Sequence, residues 1–287
     1  MLVLLAIWLV ASLGASQAAE EEIWVFYRPD IPLYADTLKE LIARHGPRLV
    51  PCPVGRVSAS FLESRSPRWA IALGDTALQR ALAMPWQVPI LGVFIDQTTV
   101  DPRVMLLEVK QPHELQFATL LRLQPAISRI WYPYTTERFA PGPSLQRAAA
   151  NARLQVVAEQ VSDPRRLPEA LRQFADPAMA VLLPPDPGLM NSAFLDALFL
   201  AAFRSHTLVI GFSESLVRQG AAFAFVMTPA NLATALSEIL QDPPSEESWP
   251  GPTRLFHRWN LAINRTVLGK LGLEVPADLL ASASRLF

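Results

Sequence analysis

AVLLPPDPGLMNSAFLDALFLAAFRSHTLVIGFSESLVRQGAAFAFVM, residues 180 to 227, contains a strand, a helix, a second strand, a second helix and a third strand in direct succession. The pattern is that of parallel α/β structure. Ala180 to Leu183 is a short apolar run stopped by Pro184-Pro185-Asp186-Pro187-Gly188, a cluster that cannot continue a ladder and must turn at the sheet's edge. Asn191 or Ser192 can cap a helix in which Phe194, Leu195, Leu198, Phe199, Ala202 and Phe203 recur at helical spacing. Thr207 to Phe212 is the next strand. Ser213 caps a second helix, Gly220 ends it, and Ala221 to Val226 is a third apolar run bounded by Thr228-Pro229. Strands joined through single helices imply right-handed crossovers, with any ligand site outside the carboxyl ends of the strands. The loops at Pro184 to Asp186 and Phe212 to Glu214 are therefore the first to consider.

The 287 residues suffice for two units of roughly 100 to 150 residues, each with its own core. Apolar residues make up 51% of the chain and the formal net charge is −1. With no basic block or basic-aromatic stripe, no nucleic-acid partner is expected. The 26 prolines exceed the usual share of about 5% but stand singly at element boundaries, where they punctuate a folded chain. Cys52 is the only cysteine, which rules out an intramolecular disulfide and any CxxC redox or zinc site; it reads as a buried small hydrophobe.

Upstream, Leu2 to Leu13 is an apolar run of signal-peptide length, shorter than the roughly 20 residues needed to span a bilayer. Small residues at Ser16-Gln17-Ala18 and the acidic Glu20-Glu21-Glu22 follow, so residues 1–18 are expected to be an export signal and the product periplasmic. No Lys or Arg precedes the run, and no cysteine near the cleavage position allows lipid attachment. Ile23 to Tyr27 is a strand with the exit loop Arg28-Pro29-Asp30, followed by a helix that ends at His45-Gly46. Leu49 to Val54 is a second strand whose prolines suit an edge, and a short helix is expected at Ser60 to Ser64. Trp69 to Leu73 runs through Gly74-Asp75-Thr76 straight into the helix Ala77 to Ala83. Val88 to Ile95 and Val104 to Val109 are further strands, and Glu114 to Leu123 is a helix closed by Pro125.

A second βα series follows. Ser128 to Tyr132 is a strand with the polar exit Tyr134-Thr135-Thr136, Leu145 to Ala152 a helix, Leu154 to Ala158 a strand and Leu167 to Phe174 a helix that delivers the chain to Ala180. After Met227 come a helix at Leu232 to Leu240, the proline-rich connection Asp242 to Pro252, the run Trp259 to Asn264, a helix at Arg265 to Leu271 and a last one at Asp278 to Ala283. The element order of the two halves is the same although their residues are not. The expectation is an α/β protein with two similar three-layer lobes and mostly parallel sheets.

Gly74-Asp75-Thr76-Ala77 joins a strand to a helix without a loop. The free N–H groups and positive helix end could take an anionic group there, or Asp75 or Thr76 could simply cap the helix. Ser213-Glu214-Ser215 presents the same choice. Gly211-Phe212-Ser213-Glu214-Ser215 also brushes the nucleophile elbow of serine hydrolases, with Asp242 and His257 in the right order. The final glycine is missing and no oxyanion-loop glycines occur upstream, so this match is poor. The four histidines are isolated from carboxylates at ligand spacing, so no metal is expected, and without GxGxxG or a P-loop no nucleotide cofactor is expected. Tyr27, Tyr134 and Phe212, aromatic residues in exit loops, suit packing or ligand stacking.

Several of these pieces in order, WAIALGDTAL, VPILGVF, HELQFATLLRLQP with AISRIWYPY, the strand ending in Pro184-Pro185-Asp186, GFSESLVRQGAAFAF and LAINRTVLGKLGLEVPADLL, resemble the ABC-transporter substrate-binding proteins of the type I periplasmic-binding fold whose substrate is poorly defined. The resemblance implies two lobes joined by hinge crossovers and a ligand held in the cleft between them, with closure on binding. The first lobe would take residues 19–124 and about 225–244, the second 125–224 and about 245–287. It implies a non-enzymatic, monomeric solute-binding protein that hands a small polar or amino-acid-like molecule to an ABC permease in the inner membrane, with a diverged envelope accessory protein as the alternative. Cleft-lining loops carry over to Arg28, Asp30, Gly74, Asp75, Thr76 and Asp96 from the first lobe, and to Tyr134, Thr135, Asp186, Ser213 and Glu214 from the second. Asp186 would receive a ligand amine, and the helix starts at Thr76 and Ser213 a carboxylate. The chain departs from the family in having no glycine between Asp96 and Glu108, where members carry a glycine-rich loop, and in Phe139-Ala140-Pro141-Gly142-Pro143 in place of a regular helix start.

Overall fold

The computed structural model describes residues 22–58, 60, 61, 66–96, 101–161, 176–241, 249 and 253–287. The expected export signal at 1–18, the helix at Leu167 to Phe174, and most of the helix at Ser60 to Ser64 and of the connection at Asp242 to Pro252 lie outside the described residues. The chain divides into two compact units. Unit 1 takes it up to Lys110 and again over Met227–Arg258, and unit 2 takes Gln111–Val226 and Trp259–Phe287.

Unit 1 is built on β1 (Ile23–Tyr27), α1 (Pro32–His45), β2 (Leu49–Pro53), β3 (Trp69–Leu73), α2 (Asp75–Leu82), β4 (Ile90–Val93), β5 (Val104–Glu108), α7 (Pro229–Gln241) and β11 (Arg254–Leu255). Its sheet runs β11-β5-β4-β3-β1-β2, with every ladder parallel. The central strands β1, β3 and β4 are apolar throughout because the middle of a parallel sheet is covered on both faces. Trp24, Phe26, Ala70 and Ala72, at alternate positions of β1 and β3, meet Leu78 and Ala81 of α2, with Cys52 and Trp86 in the same core. On Pro-rich β2, Pro51 and Pro53 stand at the sheet edge, where a missing N–H costs no ladder bond. Against α1 packs α7, with His45 Nε2 2.8 Å from Ser237 Oγ. Trp249 meets Trp69 edge-on at 4.7 Å and donates from Nε1 to the Arg103 carbonyl at 2.9 Å, which ties Trp249 to this unit.

Unit 2 contains α3 (His113–Leu123), β6 (Arg129–Tyr134), α4 (Pro143–Asn151), β7 (Gln155–Gln160), β8 (Met179–Leu182), α5 (Ser192–Arg204), β9 (Val209–Gly211), α6 (Glu214–Gln219), β10 (Phe223–Val226), β12 (Asn260–Ile263), α8 (Arg265–Lys270), α9 (Ala277–Ser282) and β13 (Ala283–Leu286). The order is β13-β12-β10-β9-β8-β6-β7, and only the β10–β12 pair is antiparallel among the described ladders. Alternate strand residues divide between two cores. Ile130, Ala180, Ile210 and Phe223 face α3, α4 and α8, whereas Trp131, Val181, Val209 and Ala224 face α5 and α6. The result is a three-layer unit with helices on both faces.

The boundaries differ from those expected. Helix α3 belongs to unit 2, not to the first lobe through residue 124, because its buried stripe of Phe117, Leu120 and Leu123 packs on Ile130 and Leu145. Residues 254–258 belong to unit 1, because Arg254 and Leu255 add a strand to β5.

The first five strands of each unit repeat one order, β2-β1-β3-β4-β5 and β7-β6-β8-β9-β10. In both, the chain starts near the middle, adds one strand on one side and then proceeds to the other. That creates a topological switch point between β1 and β3, and another between β6 and β8, where open parallel sheets leave a crevice outside the carboxyl ends.

Candidate functional site

Six expected site residues belong to unit 1, where Arg28 and Asp30 leave β1, Gly74, Asp75 and Thr76 leave β3, and Asp96 follows β4. Arg28 and Asp30 engage each other: Nε donates to Oδ1 at 3.1 Å and Nη2 forms a second, shorter bond to Oδ2. Hydrogen bonding from Arg28 holds the Asp30 carboxyl below the usual carboxylate range. The two flank the switch point as a charge-balanced, exposed pair.

Gly74 is the N-cap of α2 with φ 91°, a conformation L side chains rarely adopt, and a Cβ there would lie 3.0 Å from the Tyr34 hydroxyl. Its N–H donates to the Val93 carbonyl at 2.8 Å. No side chain caps α2. Asp75 instead reaches across to β4's exit, where Oδ1 accepts from the Asp96 N–H at 3.1 Å, while Thr76 is exposed. The alternative of simple capping by Asp75 or Thr76 is thus not realised.

Phe94, in the expected exit loop Phe94 to Asp96, and Tyr34, outside the expected set, complete this edge. Tyr34, in the first turn of α1, stacks on Phe94 with centroids 5.5 Å apart and planes 22° from parallel. Burial, then the nearby Asp75 carboxylate, holds the Tyr34 phenol above its ordinary pKa, so it stays protonated. Phe94 has φ 56°. Beside the pair, Phe94 to Asp96 and Leu106 to Lys110 bound a cavity of about 420 Å³.

The other five residues belong to unit 2, and here the geometry overturns an expectation. Asp186 has no solvent exposure. Its carboxylate accepts from the Thr135 N–H at 2.6 Å, the Thr135 hydroxyl at 2.8 Å and the Gly188 N–H at 2.9 Å. It therefore sews β8's exit to β6's exit across the switch point and caps the 3-10 turn Pro187–Leu189, leaving no surface to receive a ligand amine. Gly188 is part of the same construction, since a Cβ there would fall 2.6 Å from Thr135 Oγ1. Thr135 is consumed by this stitch as well. Tyr134 stays half-buried at the end of β6.

Ser213 accepts from the Leu216 N–H at 3.3 Å, so its hydroxyl caps α6. Glu214 pairs with Arg218 at 3.4 Å and lies 3.9 Å from Arg285 of β13. Asp242 of the hydrolase-like order lies outside the described residues.

Among the described residues no group of His, Cys, Asp and Glu is placed to hold a metal ion, and no helix is long and apolar enough to cross a membrane. The missed residues had a weak signal. Tyr34 follows the first exit loop by four positions, and Lys110 follows β5 by two.

No protein-family model matches the chain, and no curated protein matches it. Among solved structures, the ligand-free, open form of a substrate binding protein with adhesive properties from Clostridium difficile is similar with a TM-score of 0.63 and 14% identity, over 92% of this chain and 98% of that one. The ABC domain in complex with L-Trp from Streptococcus pneumonia gives 0.56 and 14%, over 93% and 100%. A conserved domain protein from Vibrio cholerae gives 0.55 and 16%, over 93% and 99%. At such identities the likeness is one of fold, and the chain has the type I periplasmic-binding-like fold that these structures share.

Proposed function

We propose that this protein is an exported solute-binding protein that captures a small polar or amino-acid-like molecule at strand-exit loops and delivers it, as a monomer and without chemistry, to an ABC permease in the inner membrane. The observation that carries the reading is the unit-1 edge. There the stacked Tyr34–Phe94 pair and the carboxylates of Asp96 and Glu108 line a cavity of ligand size at the carboxyl ends of parallel strands, and Asp75 holds the Asp96 N–H. The fold shared with two substrate-binding structures supports it. Within the expected set, Arg28, Asp30, Gly74, Asp75, Thr76, Asp96 and Tyr134 are the proposed ligand-facing residues; Asp186 and Thr135 are not.

One observation favours a second reading, a diverged envelope accessory protein. The unit-2 switch point, a ready crevice in such sheets, is closed by the Asp186–Thr135 stitch.

Thermal shift of the full-length protein against amino acids, small carboxylates, amines and sugars separates the two. A true ligand at about 100 times its Kd adds about 2.7 kcal/mol of stability. A saturable rise in Tm with one chemical class supports solute binding. No rise with any compound, together with capture of an envelope protein by a tagged form, establishes the accessory role instead.

A further inference from the structure

Resting on the solute-binding reading, the geometry points to the cavity beside Phe94 as an ammonium subsite, which selects ligands carrying a positively charged amine on an apolar or aromatic body. The cavity lies wholly within unit 1 and measures about 420 Å³, inside the range of roughly 300 to 1,000 Å³ typical of small-molecule sites.

Its walls have three kinds of surface. The floor is apolar. Gly92 in β4 carries no side chain, and a Cβ there would press to 3.0 Å from both Ile95 Cγ1 and Leu106 Cδ2. One wall is aromatic, the Tyr34–Phe94 stack, and ring faces attract ammonium groups within about 6 Å of their centroids. The third surface is charged. Asp96, exposed, and Glu108, half-buried, line it together with Lys110, whose ammonium is already 2.7 Å from Glu108. The Asp75 carboxylate adds further negative charge behind Asp96. Among the described lining residues two carboxylates stand against one ammonium, so an anionic ligand would meet net negative charge. A cationic one would meet aromatic faces and acceptors together.

Backbone geometry supports a built feature. A bulky residue at φ 56° is strained, and such residues persist where the surroundings over-determine them. Here the Gly74 N–H bond to the Val93 carbonyl and the stack on Tyr34 hold Phe94 in place.

The test is isothermal titration of the full-length protein with tryptamine and tyramine, against indole-3-propionate and 3-(4-hydroxyphenyl)propionate, which have similar bodies and the opposite charge. An amino-acid panel is run alongside. The amines are expected to bind and the acids not. Asp96→Asn and Glu108→Gln are each expected to weaken the amines about ten- to hundred-fold, the loss typical of a hydrogen bond to a charged group. Phe94→Asn, which tolerates the positive φ but removes the ring, should weaken them less. Unliganded melting temperatures identify any variant that fails to fold, and a folded Glu108→Gln protein decides the matter if Asp96→Asn is lost. If the acids bind as well as the amines, or only zwitterions bind and neither substitution matters, the ammonium subsite is refuted while solute binding stands. If nothing in either panel binds, both readings fall.

Discussion

Replacing Asp186 by Ala tests whether this carboxylate is a structural stitch or a ligand group. In the native protein it is fully buried and accepts from two backbone N–H groups, of Thr135 and Gly188, and from the Thr135 hydroxyl. Truncation strands all three donors away from water. The hydroxyl can turn to another acceptor, but the two N–H groups cannot, and each buried donor left unpaired costs about 1 to 3 kcal/mol. Removing a buried charge returns some of that, so the net loss should be about 3 kcal/mol. At about 2 to 4 °C per kcal/mol for a unit of this size, Tm should fall by about 6 to 12 °C. Asp186→Asn keeps one acceptor oxygen but turns a donor toward a donor, and should cost about 2 kcal/mol. Urea unfolding followed by near-ultraviolet circular dichroism gives the stabilities, and titration of the folded variants with any ligand found for the native protein gives affinities. If Asp186→Ala is as stable as the native protein to within about 0.5 kcal/mol, or loses affinity without losing stability, the stitch is the wrong account and Asp186 faces ligand after all.

Other consequences are as direct. Gly74→Ala forces an L residue to φ 91° and sets its Cβ 3.0 Å from the Tyr34 hydroxyl, so chemical denaturation should show a loss of about 2 kcal/mol or more. Burial, partly offset by the hydrogen bond to Gln116, holds His113 below the ordinary imidazole pKa of 6.5. The unfolded chain therefore takes the proton more readily, so the stability His113 contributes is present above pH 6.5 and is lost as the pH falls below it; the slope of denaturation midpoint against pH should flatten in His113→Gln. Cys52 is 1% exposed and burial pushes its thiol up to about 12, so a disulfide-exchange reagent at pH 8 should label the native protein far more slowly than the urea-unfolded chain. Equal labelling rates would place Cys52 outside the core.

What the chain reveals before folding is uneven, for physical reasons. Strands such as Trp69–Leu73 and Met179–Leu182 are legible because a parallel strand buried on both faces must be apolar along its whole length and must stop at turn-forming residues. Arg254–Leu255 and Ala283–Leu286 are not legible as strands because little is buried on them to leave such a mark: the first is exposed and the second mostly so. The helix at His113–Leu123 was legible as a helix, but its apolar stripe does not say which sheet it covers. Exit-loop residues were legible as positions. Their roles were not, because Asp in Pro-Pro-Asp-Pro-Gly looks the same whether its carboxylate faces water or three donors. Tyr34 escaped notice because its partners, Gly74 and Phe94, lie 40 and 60 residues away in the chain.

The sequence by itself determined that this is a parallel α/β chain with two similar series of elements, since periodicity, caps and turn residues act over a few positions and are written locally. Only the tertiary structure decided the strand orders, and with them the two switch points. It also decided that one of these points is sewn shut by a buried aspartate, while the carboxyl edge of the other sheet keeps a cavity walled by aromatic rings and carboxylates. Those outcomes depend on which residues, far apart in the chain, the sheets bring within hydrogen-bond reach, and no local pattern encodes that.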